Sequence, residues 1–101
     1  DFNKEEQKAL IYHERYHQKL TTILKSIMLE LRGKRSARWF EEFSADKYAA
    51  KKCGKAAVLG YLYKAKECYA RGVVEYNFKT NPPVVDRINA IKSLKILHPS
   101  K

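Results

Sequence analysis

Residues 13, 17, 20, 24, 27 and 31 are His, His, Leu, Leu, Ile and Leu, and intervals of three and four place all six on one stripe of a single α-helix. Asn3 with Glu6 three residues later makes a capping-box start, and Gly33 makes a stop. The spacing therefore predicts a first helix over about residues 4–32. Few other features of the chain restrict its fold as much, because this helix must lay a long stripe that includes two imidazoles against something.

The same period continues downstream. The segment "GKRSAR", residues 33–38, has a glycine stop, a serine that can cap and three basic side chains, and it reads as an exposed connection. A second helix is predicted from about Ala37 to Cys53, ended by Gly54. A third, over about residues 55–71, presents Val58, Tyr61, Leu62, Ala65 and Tyr69 on one face and stops at Gly72. Residues 73–81, "VVEYNFKTN", lack a clear period and are expected to form an extended connection anchored by Tyr76 and Phe78. Pro82 and Pro83 then sit at a helix entrance, where a missing amide donor costs nothing, and Ile88, Ile91 and Leu94 face inward along a fourth helix, about residues 83–96. The expected fold is all-α: one domain over residues 1–101, a compact bundle of about four helices with short connections that favour antiparallel packing.

Composition removes several function classes. Cys53 and Cys68 stand fifteen apart with no CxxC pair, which indicates neither a disulfide framework nor a cysteine-type zinc site and favours a reducing compartment. No stretch of about 18 uncharged apolar residues is present, so the chain as given is not expected to span a membrane. It begins with Asp rather than Met and is expected to be a fragment or a processed product. The formal net charge of +10 favours contact with phosphates or anionic lipid.

Within the first helix, "HERYH" places His13 and His17 four apart, so two imidazoles can take adjacent corners of a zinc tetrahedron while Glu14 faces the open position as a general base. Such a match arises by chance in roughly a few per thousand chains of this length. Two solvated histidines on a helix face are the alternative, although burial of an imidazole pair without a ligand or partner is costly. His98, in "LHPSK", has no helical frame to fix it and is a poor third ligand. In "WFEEFSADKYA", Glu42 and Asp46 are four apart and share a face with Trp39, Ala49 and Cys53. Zinc would give Glu42 a partner there, and Asp46 can accept a hydrogen bond from the free ring nitrogen of a ligand histidine. An acidic stripe paired with nearby lysines is the other reading of these two carboxylates.

Three motifs in order resemble the HtpX and CAAX-prenyl-protease type of zinc metallopeptidase, within the gluzincins. "FNKEEQKALIYHERYHQKL" is similar to that family's acidic helix start leading into HExxH, "EEFSADKYAAKKCG" to its E-x-x-A-D-x-x-A segment, and "TNPPVVDRI" to its T-H-P-P-x-x-x-R-I. The resemblance covers about residues 2–94. It implies one Zn²⁺ per chain, placed between the first and second helices and bound by His13, His17 and Glu42, with Asp46 behind a ligand histidine and Glu14 as catalytic base. It further implies that Arg87, with Asn81 at the position of the family's histidine, stabilises the oxyanion. An asparagine amide can still donate a hydrogen bond to developing negative charge. The interval between His17 and Glu42 is short, and the family's substrate-aligning strand would lie upstream of residue 1.

The function so implied is a zinc-dependent endopeptidase acting on proteins or extended peptides. The implied setting is the cytoplasmic side, as the soluble domain of a membrane-anchored parent whose lysines lie near anionic lipid. A domain that keeps zinc but is catalytically silent is one alternative. A basic helical nucleic-acid module built on Lys34, Arg35, Arg38, Lys51, Lys52, Lys55, Lys64 and Lys66 is another, but no binding motif accompanies the charge and no nucleic-acid partner is expected. The aromatic residues Trp39, Phe40, Phe43, Tyr48, Tyr61 and Tyr69 follow helix faces and are expected in the core or in a cleft wall.

Overall fold

The Asn3 side chain accepts a hydrogen bond from the Glu6 amide (2.8 Å), and Glu6 Oε1 accepts one from the Asn3 amide (2.9 Å), so the reciprocal cap predicted from the sequence is formed. It opens the first of four helices in a computed structural model that describes residues 2–19, 25, 30, 33–72 and 81–95. The helices are α1 (Lys4–Lys19), α2 (Lys34–Cys53), α3 (Lys55–Ala70) and α4 (Val84–Ser93), with no strand among the described residues. The fold is an all-α four-helix bundle. Most of the predicted continuation of the first helix to residue 32, including Leu20, Leu24, Ile27 and Leu31, lies outside the described residues, although Lys25 and Glu30 are helical. Residues 73–80, with Tyr76 and Phe78, and the tail carrying His98 also lie outside them.

Two boundaries differ from expectation. The second helix begins at Lys34 rather than near Ala37, so Ser36 lies inside its first turn and Gly33, at φ 80°, holds the N-cap position instead. The fourth begins after Pro83 and ends at Ser93, three residues short of the predicted end. In both places the apolar period extends past or stops short of the hydrogen-bonded turns, because periodicity reports which face is buried and not where the backbone stops pairing.

Gly54 alone joins α2 to α3. Its φ of 92° lies where side-chain-bearing residues are strained, and its amide donates to the Ala50 carbonyl at 2.7 Å, so it closes one helix and opens the next. The core gathers Ala9, Ala49, Ala50, Ala57, Val58, Tyr61, Leu62, Val84, Ile88 and Ile91. α1 packs against α2, and Ala9 on the first and Ala45 and Ala49 on the second are all fully buried. Alanine there lets the two backbones approach closely. One turn beyond Ala9, at His13, and one turn before Ala49, at Asp46, side chains from the two helices therefore meet.

Gly60 has a different role. A Cβ built there would fall 2.1 Å from Glu6 Oε2, in the carboxylate that caps α1 and also receives the Lys64 ammonium at 2.5 Å. A mid-helix Gly→Ala change ordinarily stabilises by roughly 1 kcal/mol. Here Gly60→Ala must displace Glu6 from both partners, so the thermal midpoint is expected to fall by several degrees. A midpoint that rises instead would show that Glu6 moves aside freely.

Candidate metal centre

His13 and His17 occupy successive turns of α1, and Glu42 projects from α2 toward both. The three present one ligand atom each within a shell in which all lie within 4.8 Å of one another. His13 Nε2 stands 3.1 Å from His17 Nε2 and 3.0 Å from Glu42 Oε2, and His17 Nε2 is 3.3 Å from Glu42 Oε1. Tetrahedral zinc with bonds of about 2.0–2.1 Å needs donor–donor edges of about 3.3 Å, so the set is spaced as such an ion requires.

The outer nitrogens fix which ring atom faces inward. His13 Nδ1 lies 2.9 Å from Asp46 Oδ1, and His17 Nδ1 pairs with Glu41 Oε2. Each carboxylate accepts a hydrogen bond from Nδ1, so that in the neutral rings Nε2 carries the lone pair and faces the other imidazole and Glu42. With both imidazoles neutral, three electron-rich atoms would converge at this range, so the group calls for positive charge among them, either a proton shared by His13 with Glu42 or a metal ion, and the donor set of two imidazoles and one carboxylate suits Zn²⁺.

Asp46 is the node of the bundle. It is 1 % exposed, and all four helices meet on its carboxylate: His13 from α1, its own backbone in α2, the Tyr61 hydroxyl from α3 donating at 2.7 Å, and Arg87 from α4. The Arg87 guanidinium is bidentate, with Nε 2.7 Å from Oδ2 and Nη2 2.9 Å from Oδ1. Arg87 sits in the first turn of α4, where the helix dipole disfavours a cation, so the acid partner offsets a local cost. Burial disfavours the charged form of Asp46, but Arg87 and His13 outweigh it and hold the carboxyl below its ordinary range. Burial and the Asp46 charge together raise the Tyr61 hydroxyl, which stays a donor.

An open cleft of about 480 Å³ adjoins this group. Glu14, His17, Glu42 and Asn81 line it, together with Lys25, Arg38 and Glu41. The structure therefore brings His13, His17, Glu42 and Asp46 together and places Glu14, exposed, and Asn81, half-buried, on the adjoining cleft. Arg87 stands elsewhere. It does not line the cleft, its Nε and Nη2 are directed at Asp46, and its nearest approach to the ligand set is 3.7 Å from Glu42. The geometry has Arg87 hold Asp46 while it stands within ion-pair distance of Glu42.

Two participants escaped the sequence reading. Glu41 is adjacent to Glu42, and adjacent residues on a helix point about 100° apart, so helical spacing alone does not bring both to one site. It reaches the second histidine while Glu42 reaches the metal position. Tyr61 was assigned to the core by its period, and nothing local marks its hydroxyl as a partner of Asp46.

Comparison with protein-family models, with curated proteins and with solved structures found no match.

The titration of the cluster sets a testable pH dependence. Burial opposes a charge on His13, but its hydrogen bonds to Asp46 and Glu42 prevail and raise its pKa from 6.5 to about 9. Glu42 is likewise held well below the usual carboxylate range, its burial outweighed by both histidines and Arg87. In metal-free protein the His13 proton contributes about 3 kcal/mol, fully present below pH 6.5 and lost as pH rises through about 9. The Glu42 contribution is present above its ordinary pKa of 4.5 and is lost as pH falls. Chelator-treated protein should therefore melt highest between those limits and lose stability toward pH 9. Zinc, which takes the place of the proton, should reverse the alkaline slope. Melting curves with and without zinc at both pH values test this, and a metal-free midpoint unchanged from pH 6.5 to 9 would sink it.

Proposed function

We propose that this chain is a zinc-dependent endopeptidase domain, similar in its motifs to the HtpX and CAAX-prenyl-protease type of gluzincin. The observation that carries the reading is the convergence of His13 Nε2, His17 Nε2 and the Glu42 carboxylate, with both outer ring nitrogens already engaged by carboxylates. The convergence also lies beside an open cleft, which gives water and a substrate access to it.

Zinc at that point would supply Lewis acidity toward water and toward a peptide carbonyl. The remaining steps belong to the chain's own groups. Asp46 and Glu41 hold the two imidazoles in the orientation and tautomer that binding needs. Arg87 and Tyr61 hold Asp46. Glu14, on the cleft beside His17, takes a proton from the attacking water, whose oxygen joins the carbonyl carbon. As the C–N bond breaks, Glu14 hands that proton to the departing nitrogen. Asn81 lines the same cleft, and its amide would donate to the oxyanion.

A second reading, a domain that holds zinc without turnover, is favoured by one observation: Arg87 is committed to Asp46 rather than to the cleft. Metal analysis and proteolysis separate the two. Purified protein loaded with zinc is expected to carry one ion per chain, to cleave an unfolded protein substrate, and to lose and regain that activity on chelation and reloading. His13→Ala and Glu42→Ala should each lose the ion. Absence of zinc from the wild-type chain sinks both readings, and stoichiometric zinc without cleavage leaves the silent one. The same domain in a membrane-anchored parent would face the cytoplasm. Among the described residues, no helix is long and apolar enough to cross a bilayer.

A further inference from the structure

The cleft beside the ligand group has a charge pattern that the hydrolytic chemistry does not use. Its acids are largely committed inward: Glu42 contacts both histidines, and Glu41 pairs with His17 Nδ1. Its bases are not so held. Arg38 is exposed one turn before Glu41 and Glu42, yet no hydrogen bond or ion pair holds its guanidinium among the described residues. Lys25 approaches Glu41 only to 4.0 Å and keeps nearly half of its side chain exposed. Two cationic groups thus line a polar cleft in which Glu41 and Glu42 are already engaged and Glu14 is the one acid facing it unengaged among the described residues, in a chain of net charge +10 that draws anions toward it.

We propose that this cleft selects its peptide by a carboxylate, which the forked Arg38 guanidinium grips with support from the Lys25 ammonium. A planar guanidinium matches a carboxylate with two parallel hydrogen bonds, and a flexible ammonium adds a point charge beside it. The substrate class is an extended peptide that carries an acidic side chain near the bond to be cut, or that ends in a free C-terminus within reach. The proposal rests on the endopeptidase reading for the cleft being a peptide site. Arg38 then determines specificity rather than chemistry, and a lysine-rich peptide is disfavoured because it meets like charge.

Fluorescence anisotropy with three labelled heptapeptides tests it: one with a central Glu and an amidated C-terminus, one with Gln in its place and an amidated C-terminus, and one with Gln and a free C-terminus. Each is titrated into metal-free protein and into zinc-loaded Glu14→Gln protein, which binds without cutting. The first or the third peptide is expected to bind about tenfold more tightly than the neutral one, and which of them does so identifies the source of the carboxylate. Arg38→Gln should abolish that ratio. Lys66→Gln, which removes the same charge from an exposed position on α3 outside the cleft lining, should leave it within about twofold. Equal binding of all three peptides overturns the proposal. So does an equal loss in both variants, which would mean that overall charge alone attracts the peptide. An Arg38-dependent ratio in a chain that neither binds zinc nor cleaves leaves the carboxylate cleft standing and removes the endopeptidase reading. Zinc-dependent cleavage without that ratio removes only the proposal made here.

Discussion

Replacing Glu14 with Gln is expected to lower peptide turnover by about 10²- to 10⁴-fold while zinc remains at one ion per chain. Glu14 is exposed on the cleft and takes no part in the His13–Asp46 or His17–Glu41 pairs, so its charge can be removed without disturbing the ligands. Gln keeps the size and the polarity of the side chain but cannot accept a proton from water and return it to an amine. Loss of turnover with full metal occupancy therefore isolates the proton transfer. If Glu14→Gln protein cleaves at the wild-type rate, Glu14 is not the base and the mechanism built on it fails. If it loses zinc as well, the result speaks to folding and has to be read beside a melting curve of the same sample.

The second large effect concerns stability. Asp46→Ala removes the carboxylate on which the four helices meet and strands the Arg87 guanidinium, a mostly buried cation whose charged form Asp46 and Glu42 sustain against burial. The Tyr61 hydroxyl and His13 Nδ1 lose their acceptor at the same time. Breaking a buried pair by removing one partner costs about 3–5 kcal/mol. Small domains are stable by about 5–15 kcal/mol in total, so Asp46→Ala should leave the chain near the edge of folding at room temperature. Asp46→Asn keeps the shape and part of the hydrogen bonding, so it should fold. Its zinc affinity should nevertheless drop by about 10- to 100-fold, because the tautomer of His13 is no longer enforced. Urea denaturation of the two variants, with zinc titration of the second, measures both effects. A loss below about 1 kcal/mol for Asp46→Ala would show that the bundle does not depend on this node.

The two experiments address different parts of one arrangement. Glu14 lies on the open side of the ligand group, on the cleft, and its loss should be silent in stability. Asp46 acts on the closed side, where helices pack, and its loss should be felt by every helix. In the proposed mechanism the outward acid serves proton transfer, while the inward acid holds His13, Tyr61 and Arg87 in place.

Much of this could be read along the chain because it is local. The positions of His13 and His17 on one helix face, of Glu42 and Asp46 on another, and the Asn3–Glu6 cap depend only on 3.6 residues per turn and on which atoms lie within one turn of each other. Helix existence and the inward faces around Val58, Tyr61, Leu62, Ile88 and Ile91 follow from the same period. A local period does not say which faces meet. That α1 lies on α2 closely enough to bring His13 and His17 to Glu42 depends on Ala9, Ala45 and Ala49 being small at one contact. That Arg87 turns to Asp46, away from the cleft, depends on the first turn of α4 packing over a buried acid supplied by a residue 41 positions earlier. That Glu41 pairs with the outer nitrogen of His17 while Glu42 faces both inner nitrogens is set by how the two helices pack. The sequence by itself determined the all-α class and the residue types of the candidate ligand group, since both are set by backbone periodicity and donor chemistry. The tertiary structure alone decided their partners, because an ion pair in a packed interior forms with whichever charge the packing brings within reach.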